Sequence, residues 1–564
     1  MTIGDFSSGS APGTRRDPIG RDVRFNRALA TRWRSKGYWL DTTLAALTED
    51  LAASDGDRVM AIEGERCFTV AEILIESRRL ANALLERGLG LGSVISYQIP
   101  NWYEGCVINL AASMIGGVVN PLVPIYRDNE LTFMLDDVKA RVVFVPESFR
   151  NCDYAAMMLR VRKRLNHDLE IVVLRGAAEG CLSYSELLSA GITRRPLPRV
   201  DPDSVYVMMH TSGSTGRPKC VLHSHNTFLV QGRVHALELR RSQSDVQIVA
   251  SPISHVSGMI LANLTPVVGG AKIVLMDRWS AAAAIDLIHQ HDGTALGGAT
   301  PFLRQLVDAA RAADDHLPTL TCVGTGGAAV PPDLIREAQD WFPNAVSYRI
   351  YGCTEVPTIT SGTNSRADME HGAETDGRIR HVEIRIVDPV SGAALPTDAE
   401  GEILACGPQM MLGYLRMEDN DGAFDADGYF RTGDLGRIVD NEYILITGRK
   451  KDLIIRSGEN LSPKEIEDVL HTHPAVSSAA VVGMPHPRSG ECVCAFLVVC
   501  EGHSIDLLEI DRFLCNAGLS RQKVPEHVEI VESLPTSVQG KVLKAELRKI
   551  AAKISHGLRH DLTK

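Results

Sequence analysis

A segment of small and hydroxyl-bearing residues, from Thr211 to Cys220, reads "TSGSTGRPKC". Its glycines allow the backbone to turn tightly, so that successive N–H groups can point at one anion. The serine and threonine hydroxyls would add donors, and Lys219 would add a positive charge suited to phosphate. The lysine does not follow the Walker spacing. Taken alone, the segment is compatible with a phosphate-binding loop and with a solvated turn.

Three further segments carry charged side chains that could act on a nucleotide. In "YGCTE", Glu355 follows the predicted strand "VSYRI" and could bind Mg²⁺, which prefers one or two carboxylates plus phosphate oxygens. In "YFRTGDLG", Asp434 is predicted to lie in a turn, where it could accept from ribose hydroxyls or from its own backbone. In "GRKKD", Arg449 could reach a ribose or phosphate. The structural alternatives are a helix N-cap for "YGCTE", an Asx turn for Asp434 and a solvated charged surface for Arg449.

These segments need rigid elements to position them, and the hydrophobic pattern predicts such elements. The apolar runs "ARVVFVPES", "DLEIVVLRG" and "DSVYVMMH" predict buried strands, whereas "TVAEILIESRRLANALLERGL" has helical spacing. A further helix is expected to begin near Asn226. This alternation predicts an α/β fold with mainly parallel sheets. After about residue 375, short strands separated by turn residues predict a β-rich subdomain.

The C-terminal part is expected to form a separate small domain. "NEYILIT" predicts a strand, and "GRKKD" interrupts the pattern with charge. "SPKEIEDVL" predicts a helix start, with Ser462 as N-cap, Pro463 in the first turn and Glu465 completing a capping box. The predicted organisation is a disordered or extended tail (1–35), a large N-terminal domain (36–447), a hinge (448–451) and a small C-terminal domain (452–564).

Length and composition limit the alternatives. A chain of 564 residues is too long for one hydrophobic core. Its net charge of −11 argues against a nucleic-acid binder, whose surface would be basic. Cys492 and Cys494 alternate along one predicted strand face instead of forming a metal knuckle. The polar start lacks the apolar region of a secretory signal, and no apolar run is long enough for a transmembrane segment, so we expect a cytoplasmic location.

Taken together and in this order, five segments resemble the motif series of the adenylate-forming superfamily. They are "HTSGSTGRPK", "YGCTE", "YFRTGDLG", "GRKKDLIIRSGENLSPKEIE" and "PTSVQGK". That family includes acyl- and aryl-CoA synthetases, adenylation domains of peptide synthetases and firefly luciferase. The resemblance covers nearly the whole chain. It implies a large domain of two α/β subdomains and a small β-barrel subdomain, followed by a small mobile α+β domain.

The resemblance also implies a reaction in two steps with ATP, Mg²⁺ and coenzyme A. A carboxylate first attacks the α-phosphate of ATP, which gives an acyl-adenylate and pyrophosphate. A thiol, usually that of coenzyme A, then displaces AMP and forms a thioester. The first step is needed because a carboxylate has only oxide as a leaving group, whereas AMP leaves readily.

The resemblance assigns a role to each matching position. Glu355 would bind Mg²⁺, Thr354 would touch phosphate, and Asp434 would hold the ribose hydroxyls with Arg449 nearby. Tyr351, beside Gly352, would stack near the adenine. The β- and γ-phosphates would be held by Thr211, Ser212, Gly213, Ser214, Thr215, Gly216 and Lys219, and the adenine and acyl pocket would be bordered by Gly326, Gly327 and Ala328.

By the same resemblance, Lys541 is the expected catalytic cation of adenylation, with Lys544 as the neighbouring alternative. In the small domain, Lys541 could neutralise charge developing between carboxylate and α-phosphate. Lys451 matches the hinge about which the small domain rotates between the half-reactions. Rotation would withdraw Lys541 and bring "RSGEN", with Gly458, to line a pantetheine tunnel.

The acid is expected to bind beside His255, which matches the family's aromatic or histidine gate. The acyl pocket is expected to include Val256, Ser257, Met259, Thr300 and Pro357. Because none of these is charged, an uncharged acyl tail is favoured. The pocket has no asparagine where dihydroxybenzoate-activating relatives have one, which disfavours a catechol. We therefore expect a medium-chain or cyclic acid.

Some alternatives stay open at this point. The enzyme could load a carrier-protein phosphopantetheine instead of coenzyme A, or the chain could be a nucleotide-binding protein without catalysis. A homodimer, and acetylation of Lys541 by a lysine acetyltransferase, are further expectations. Cys220 stands where relatives usually have glycine, so its backbone either tolerates a Cβ or is strained.

Overall fold

The computed structural model describes residues 13–191, 195–211, 217–238, 242–328, 330–363, 365–457, 459–536 and 541–561. Among the predicted site residues, those outside this part of the chain are Ser212, Gly213, Ser214, Thr215, Gly216 and Gly458. Within it, no helix is both long enough and apolar enough to span a bilayer.

The N-terminal segment is folded from residue 13 onward, so the prediction of a tail up to residue 35 is wrong there. It forms an antiparallel hairpin of β1 (Gly13–Arg16) and β2 (Asp22–Phe25), followed by α1 (Arg27–Ser35). Trp33 and Trp39 are buried in an apolar cluster with Tyr429 of the β-rich part. These large apolar side chains anchor the segment, and the polar composition of the first residues did not reveal them.

The first α/β unit brings the phosphate segment to the edge of a sheet. Its elements are α2 (Leu44–Asp55), β3 (Val59–Glu63), β4 (Arg66–Thr69), α3 (Val70–Glu86), β5 (Val94–Tyr97), α4 (Tyr103–Ile115), β6 (Val118–Pro121), α5 (Asp128–Val138), β7 (Val142–Pro146), β8 (Ser148–Phe149), β9 (Cys152–Asp153), α6 (Tyr154–Arg162), β10 (Glu170–Leu174), β11 (Leu182–Ser183), α7 (Tyr184–Ala190), β12 (Val205–Thr211), β13 (Lys219–Ser224) and α8 (His225–Glu238). Seven strands form a sheet of order β11-β10-β7-β5-β6-β12-β13. It is parallel except at β12–β13, the antiparallel pair that flanks the phosphate segment.

The second α/β unit has the same plan. Its elements are β14 (Val246–Val249), α9 (Val256–Met259), a π-helix (Ile260–Gly269), β15 (Lys272–Leu275), α10 (Ala281–His291), β16 (Ala295–Ala299), α11 (Thr300–Ala312), β17 (Cys322–Gly326), α12 (Pro332–Trp341) and β18 (Val346–Ile350). With β3 and β4 they form a seven-stranded sheet of order β18-β17-β16-β14-β15-β3-β4. Only the β3–β4 pair is antiparallel. The predicted mainly parallel α/β architecture is confirmed.

The β-rich part after residue 360 is a six-stranded antiparallel sheet of order β19-β20-β24-β23-β22-β21. Its elements are β19 (Thr360–Ser361), α13 (Met369–Glu374), β20 (Arg378–Ile379), β21 (Glu383–Val387), β22 (Gly401–Cys406), β23 (Phe430–Val439) and β24 (Tyr443–Arg449). Asp434 lies within β23 and not in a turn, which corrects the expectation from sequence. Pairing with the strands on both sides overrides the local turn preference of "TGD".

The C-terminal part is an α+β unit with a five-stranded sheet. Its elements are β25 (Ile454–Arg456), β26 (Glu459–Leu461), α14 (Pro463–Leu470), β27 (Val476–His486), β28 (Gly490–Val499), α15 (Leu507–Asn516), β29 (His527–Ile530) and α16 (Lys544–Asp561). The capping box predicted for α14 is wrong. The Ser462 hydroxyl donates to the Thr447 carbonyl of β24 at 2.5 Å, and Glu465 pairs with Lys523.

Cys220 lies in the extended strand β13 and is 2% exposed. It packs in an apolar cluster with Met208 and Leu222. Its backbone does not have a positive φ, so this position tolerates a Cβ and the phosphate segment is not strained there.

We predict that Cys220→Gly lowers the thermal midpoint of unfolding, because it removes a buried side chain and loosens a strand. The loss should correspond to about 1–3 kcal/mol, with catalytic activity retained at a permissive temperature. Cys220→Ala, which keeps the Cβ, should lose less. A midpoint equal to that of the wild type in both variants would contradict this packing role.

Candidate active site

Asp434 is a buried carboxylate that two other predicted site residues share. The register of β23 and β24 places Asp434 opposite Arg449, and Arg449 Nε lies 2.7 Å from Asp434 Oδ1. The Tyr351 hydroxyl donates to Asp434 Oδ2 at 2.7 Å. Burial, followed by the Asp434 charge, raises the pKa of Tyr351 well above its usual value, so it is a neutral donor. Since a carboxylate has about four lone-pair sites, Asp434 can still accept from a ligand hydroxyl.

Lys541 of the C-terminal unit converges on the same cluster. The pKa of Lys541 is lowered to about 8, first by burial and then by the Arg449 charge, while the Asp434 charge opposes both effects. The pKa of Lys451 is lowered as well, by burial and by Arg449. Lys541 is therefore within electrostatic reach of the Asp434–Arg449 pair, although more than ninety residues along the chain separate them. A cation that is partly dehydrated interacts strongly with an anion brought beside it.

Glu355 and Lys219 are brought together by a tyrosine that sequence reasoning missed. The Tyr414 hydroxyl donates to Glu355 Oε1 at 2.8 Å. Lys219 Nζ lies 4.8 Å from the centroid of the Tyr414 ring and donates to the Asp419 carbonyl at 3.3 Å. The predicted phosphate lysine and the predicted metal ligand thus border one site, with Tyr414 between them.

Tyr414 belongs to a segment, residues 411–420, that crosses the edge of the first sheet; we call it the crossing segment. It is held to β13 by the Leu415 N–H, which donates to the Cys220 carbonyl at 2.8 Å, and by the Leu222 N–H, which donates to the Gly413 carbonyl at 3.0 Å. The only sequence signal is a Gly-Tyr pair that lies between a short apolar run and a charged one. No periodicity marks the segment as part of a site.

The crossing segment holds both ends of the phosphate segment. At one end, Arg217 pairs with Asp419 at 2.9 Å. At the other end, Arg416 Nε donates to the buried Asp137 at 2.7 Å, and Asp137 also contacts His210, which directly precedes Thr211, at 3.3 Å. The ends of the loop are therefore fixed by charged residues outside the motif, Asp419 at one end and Asp137 with Arg416 at the other.

The residues at Glu355 fit a magnesium site of the nucleotide-dependent kind. Among the described residues, no group of three or more histidine, cysteine, aspartate or glutamate side chains could hold a metal. In nucleotide sites Mg²⁺ takes one or two carboxylates and completes its shell with phosphate oxygens and water. A single carboxylate beside a phosphate lysine matches that requirement.

The ends of β17 and β18 bring backbone close to the expected nucleotide position. A Cβ on Gly326 would lie 2.3 Å from the Ile350 carbonyl oxygen, and a Cβ on Gly352 would lie 2.6 Å from the Thr358 nitrogen. Gly327 has a φ of +83°, which favours glycine. The Thr354 carbonyl accepts from His223 Nε2 at 2.8 Å. These contacts explain why the motif positions need glycine and fix the course of the "YGCTE" segment.

His255 precedes α9 and is neutral, since burial lowers its pKa to about 4. Its Nδ1 lies 2.9 Å from the Ser257 hydroxyl and accepts from the Ser257 N–H. Because the accepting nitrogen carries no proton, the ring proton lies on Nε2. Val256 and Met259 are buried in the large apolar core, Pro357 is buried, and Ser257 and Thr300 are partly exposed.

Comparisons with known proteins agree with this geometry. The family model described as AMP-binding enzyme matches residues 48–415, which include Lys219, Glu355 and Tyr414. The model described as AMP-binding enzyme C-terminal domain matches residues 465–541, which end at Lys541.

Individual relatives match over nearly their whole length. The medium-chain fatty-acid–CoA ligase of Escherichia coli (strain K12) is 32% identical over 533 residues, which cover 93% of this chain and 94% of the relative. The 2,3-dihydroxybenzoate-AMP ligase of Bacillus subtilis (strain 168) is 28% identical, with 94% and 98% covered. The crystal structure of ATP-bound MatB from Rhodopseudomonas palustris has a TM-score of 0.81 and 29% identity, with 91% of this chain and 100% of that chain covered.

We predict that Tyr414→Phe weakens binding of the Mn²⁺–ATP complex by about tenfold, because the Glu355 carboxylate loses the hydroxyl that orients it. Isothermal titration with Mn²⁺–ATP, and with ATP in EDTA, measures the effect. The affinity for metal-free ATP should change much less.

The matched control is Tyr429→Phe, since the Tyr429 hydroxyl donates to another carboxylate, Glu383, at 2.7 Å. This variant should bind Mn²⁺–ATP like the wild type. Equal weakening by the two variants, or equal weakening with and without metal, would show that Tyr414 does not act through Glu355.

Proposed function

The chain belongs to the AMP-binding enzyme family, and we propose that it is an AMP-forming acid–CoA ligase. In this proposal it joins a carboxylic acid to AMP from ATP, releases pyrophosphate, and transfers the acyl group to the thiol of coenzyme A. The observation that carries the proposal is the convergence of Lys541 on the Asp434–Arg449 pair. That cluster is linked through Tyr351 to the segment that ends at Glu355.

In the adenylation step each cluster has a separate task. Asp434 accepts from the ribose hydroxyls, while Arg449 pairs with this carboxylate and holds it in place. Lys219 binds phosphate, and Glu355 would hold Mg²⁺, which supplies positive charge to the phosphates when bound. Lys541 stabilises the charge that develops between the acid carboxylate and the α-phosphate. Because the His255 ring is neutral with its proton on Nε2, it can donate to the acid carboxylate without pairing with it as a fixed ion.

The thioester step would require the C-terminal unit to move about Lys451. This residue lies in the 3-10 turn Lys450–Asp452, directly after β24. The Ser462–Thr447 hydrogen bond ties α14 to β24 in the arrangement seen here. We infer that this arrangement serves adenylation, since Lys541 interacts electrostatically with the Asp434–Arg449 pair in it. Rotation would break the Ser462 bond and bring the segment around Gly458 toward the pantetheine arm.

The acid is proposed to have an uncharged medium-chain or cyclic tail. The E. coli relative is named for a medium-chain fatty acid, and the residues expected in the acyl pocket are uncharged. A panel of such acids, with AMP and acyl-CoA detected separately, tests this proposal. Release of pyrophosphate without a coenzyme A thioester would instead favour transfer to a carrier protein. No pyrophosphate with any acid would favour the inactive nucleotide-binding protein. A homodimer, acetylation of Lys541 and a cytoplasmic location stay predictions.

We predict that Lys541→Ala slows acyl-adenylate formation by at least about 100-fold, while thioester formation from supplied acyl-AMP is largely retained. The reason is that Lys541 leaves the site before the second step. Lys544→Ala is the matched control, because Lys544 lies only three positions away but pairs with Glu467, at 2.7 Å, and not with Asp434. Equal loss of both half-reactions in Lys541→Ala would refute the assignment.

We also predict a pH dependence that arises from Lys541. With its pKa lowered to about 8, the side chain is charged below that pH and loses its charge above it. The kcat/KM for ATP, which reports the free enzyme, should therefore fall as the pH rises through about 8. In Lys541→Arg, any residual kcat/KM should not fall in that window, since arginine stays charged. An identical alkaline fall in both proteins would assign it to another group.

A further inference from the structure

Gln231, in helix α8, is a fully buried glutamine with an unusual amide. The residue is 0% exposed, and neither Oε1 nor Nε2 has a hydrogen-bond partner in the described part of the chain. Gln247 shows the usual arrangement, since its Nε2 donates to the carbonyls of Ile248 and Ala295. A buried amide without partners destabilises a fold. Its presence points to a partner that arrives with a ligand.

Helix geometry defines the direction in which Gln231 points. Thr227 lies four residues earlier and therefore on the same face of α8. Its hydroxyl lies 3.2 Å from His223 Nδ1, and His223 Nε2 bonds the Thr354 carbonyl. Gly232, which directly follows Gln231, faces the π-helix, because a Cβ on this glycine would lie 2.7 Å from Leu264 Cβ. Gln231 thus lies on the part of α8 between the Thr354 segment and the π-helix.

The two surfaces that border Gln231 carry residues of the expected acyl pocket. Met259 directly precedes the π-helix, and Pro357 follows Thr354 by three positions. The π-helix also carries Thr265, whose buried hydroxyl likewise has no partner among the described residues. Each of these two packed helices thus carries a buried polar group without a partner among the described residues, which is consistent with a polar ligand near Gln231.

We propose that Gln231 is a specificity-determining residue that binds a hydroxyl group in the tail of the acid. This inference rests on the proposed acid–CoA ligase function. The amide can donate through Nε2 and accept through Oε1, so it complements a group that does both. A charged tail group is disfavoured, because a neutral amide does not offset the desolvation of a buried charge. The acid is then a medium-chain or cyclic acid that carries a hydroxyl away from its carboxylate.

Matched pairs of acids test the proposal. Each pair consists of a medium-chain or cyclic acid with one hydroxyl at a defined tail position and the same acid without it. Pyrophosphate release gives kcat/KM for each. For at least one position, the wild type should prefer the hydroxylated acid by about tenfold or more, because the unhydroxylated acid leaves the amide unpaired. In Gln231→Leu that preference should disappear, with the unhydroxylated acid used better than by the wild type.

Gln247→Leu is the matched control, because it removes a buried amide that is already bonded within the fold. It should keep the wild-type preference among the acids. The thermal midpoint of the ligand-free proteins gives a readout that does not depend on turnover. Gln231→Leu should raise the midpoint, since an unsatisfied group is removed, whereas Gln247→Leu should lower it.

The outcomes separate this inference from the proposed function. Pyrophosphate release without any preference for a hydroxyl at any position would overturn the role of Gln231 and leave the ligase assignment standing. A thermal midpoint lowered as much by Gln231→Leu as by Gln247→Leu would also overturn it. The absence of pyrophosphate release with every acid would overturn both.

Discussion

The rest of the site depends on one buried carboxylate, that of Asp434. A charge so deeply buried needs partners, and Arg449 and Tyr351 supply them from β24 and from the end of β18. The same carboxylate opposes the loss of charge on Lys541, whose pKa burial and Arg449 push downward. Asp434 therefore connects the proposed nucleotide site to the C-terminal unit. If the proposed rotation moves Lys541 away, its pKa should return toward the usual range, so the proposed motion would be coupled to the charge of Lys541.

The elements and motifs that depend on local pattern could be predicted from the sequence. The strand at Val205–Thr211 and the helix at Val70–Glu86 follow from apolar spacing. The candidate site residues follow from the order of the five motifs along the chain. Where local preference competed with long-range pairing, the prediction was wrong. The turn-like residues around Asp434 are part of a strand, because neighbouring strands pair with them. The Ser462 hydroxyl bonds a distant carbonyl and not its own helix.

The features that could not be predicted act through contacts between distant positions. Tyr414 and Glu355 are 59 residues apart, and no local pattern relates them. The buried amide of Gln231 has no signature either, since a glutamine in a helix is usually solvated. Only the packing of α8 against the π-helix shows that its surroundings are closed. The sequence thus predicted which residues would meet the nucleotide, whereas the groups that orient these residues, and the one proposed to contact the acid, could be identified only from the fold.

Lys541 and Gln231 have a physical property in common. Each is a polar group that the protein alone solvates poorly: one has a depressed pKa, and the other has no hydrogen-bond partner among the described residues. Each therefore costs stability in the free enzyme, and each is relieved when its proposed partner binds. Binding of nucleotide and acid should accordingly stabilise the folded protein by mass action. Because these groups are poorly solvated before binding, little water must be displaced when charge develops at the α-phosphate. A fixed cation stabilises a transition state most strongly in such a water-poor site.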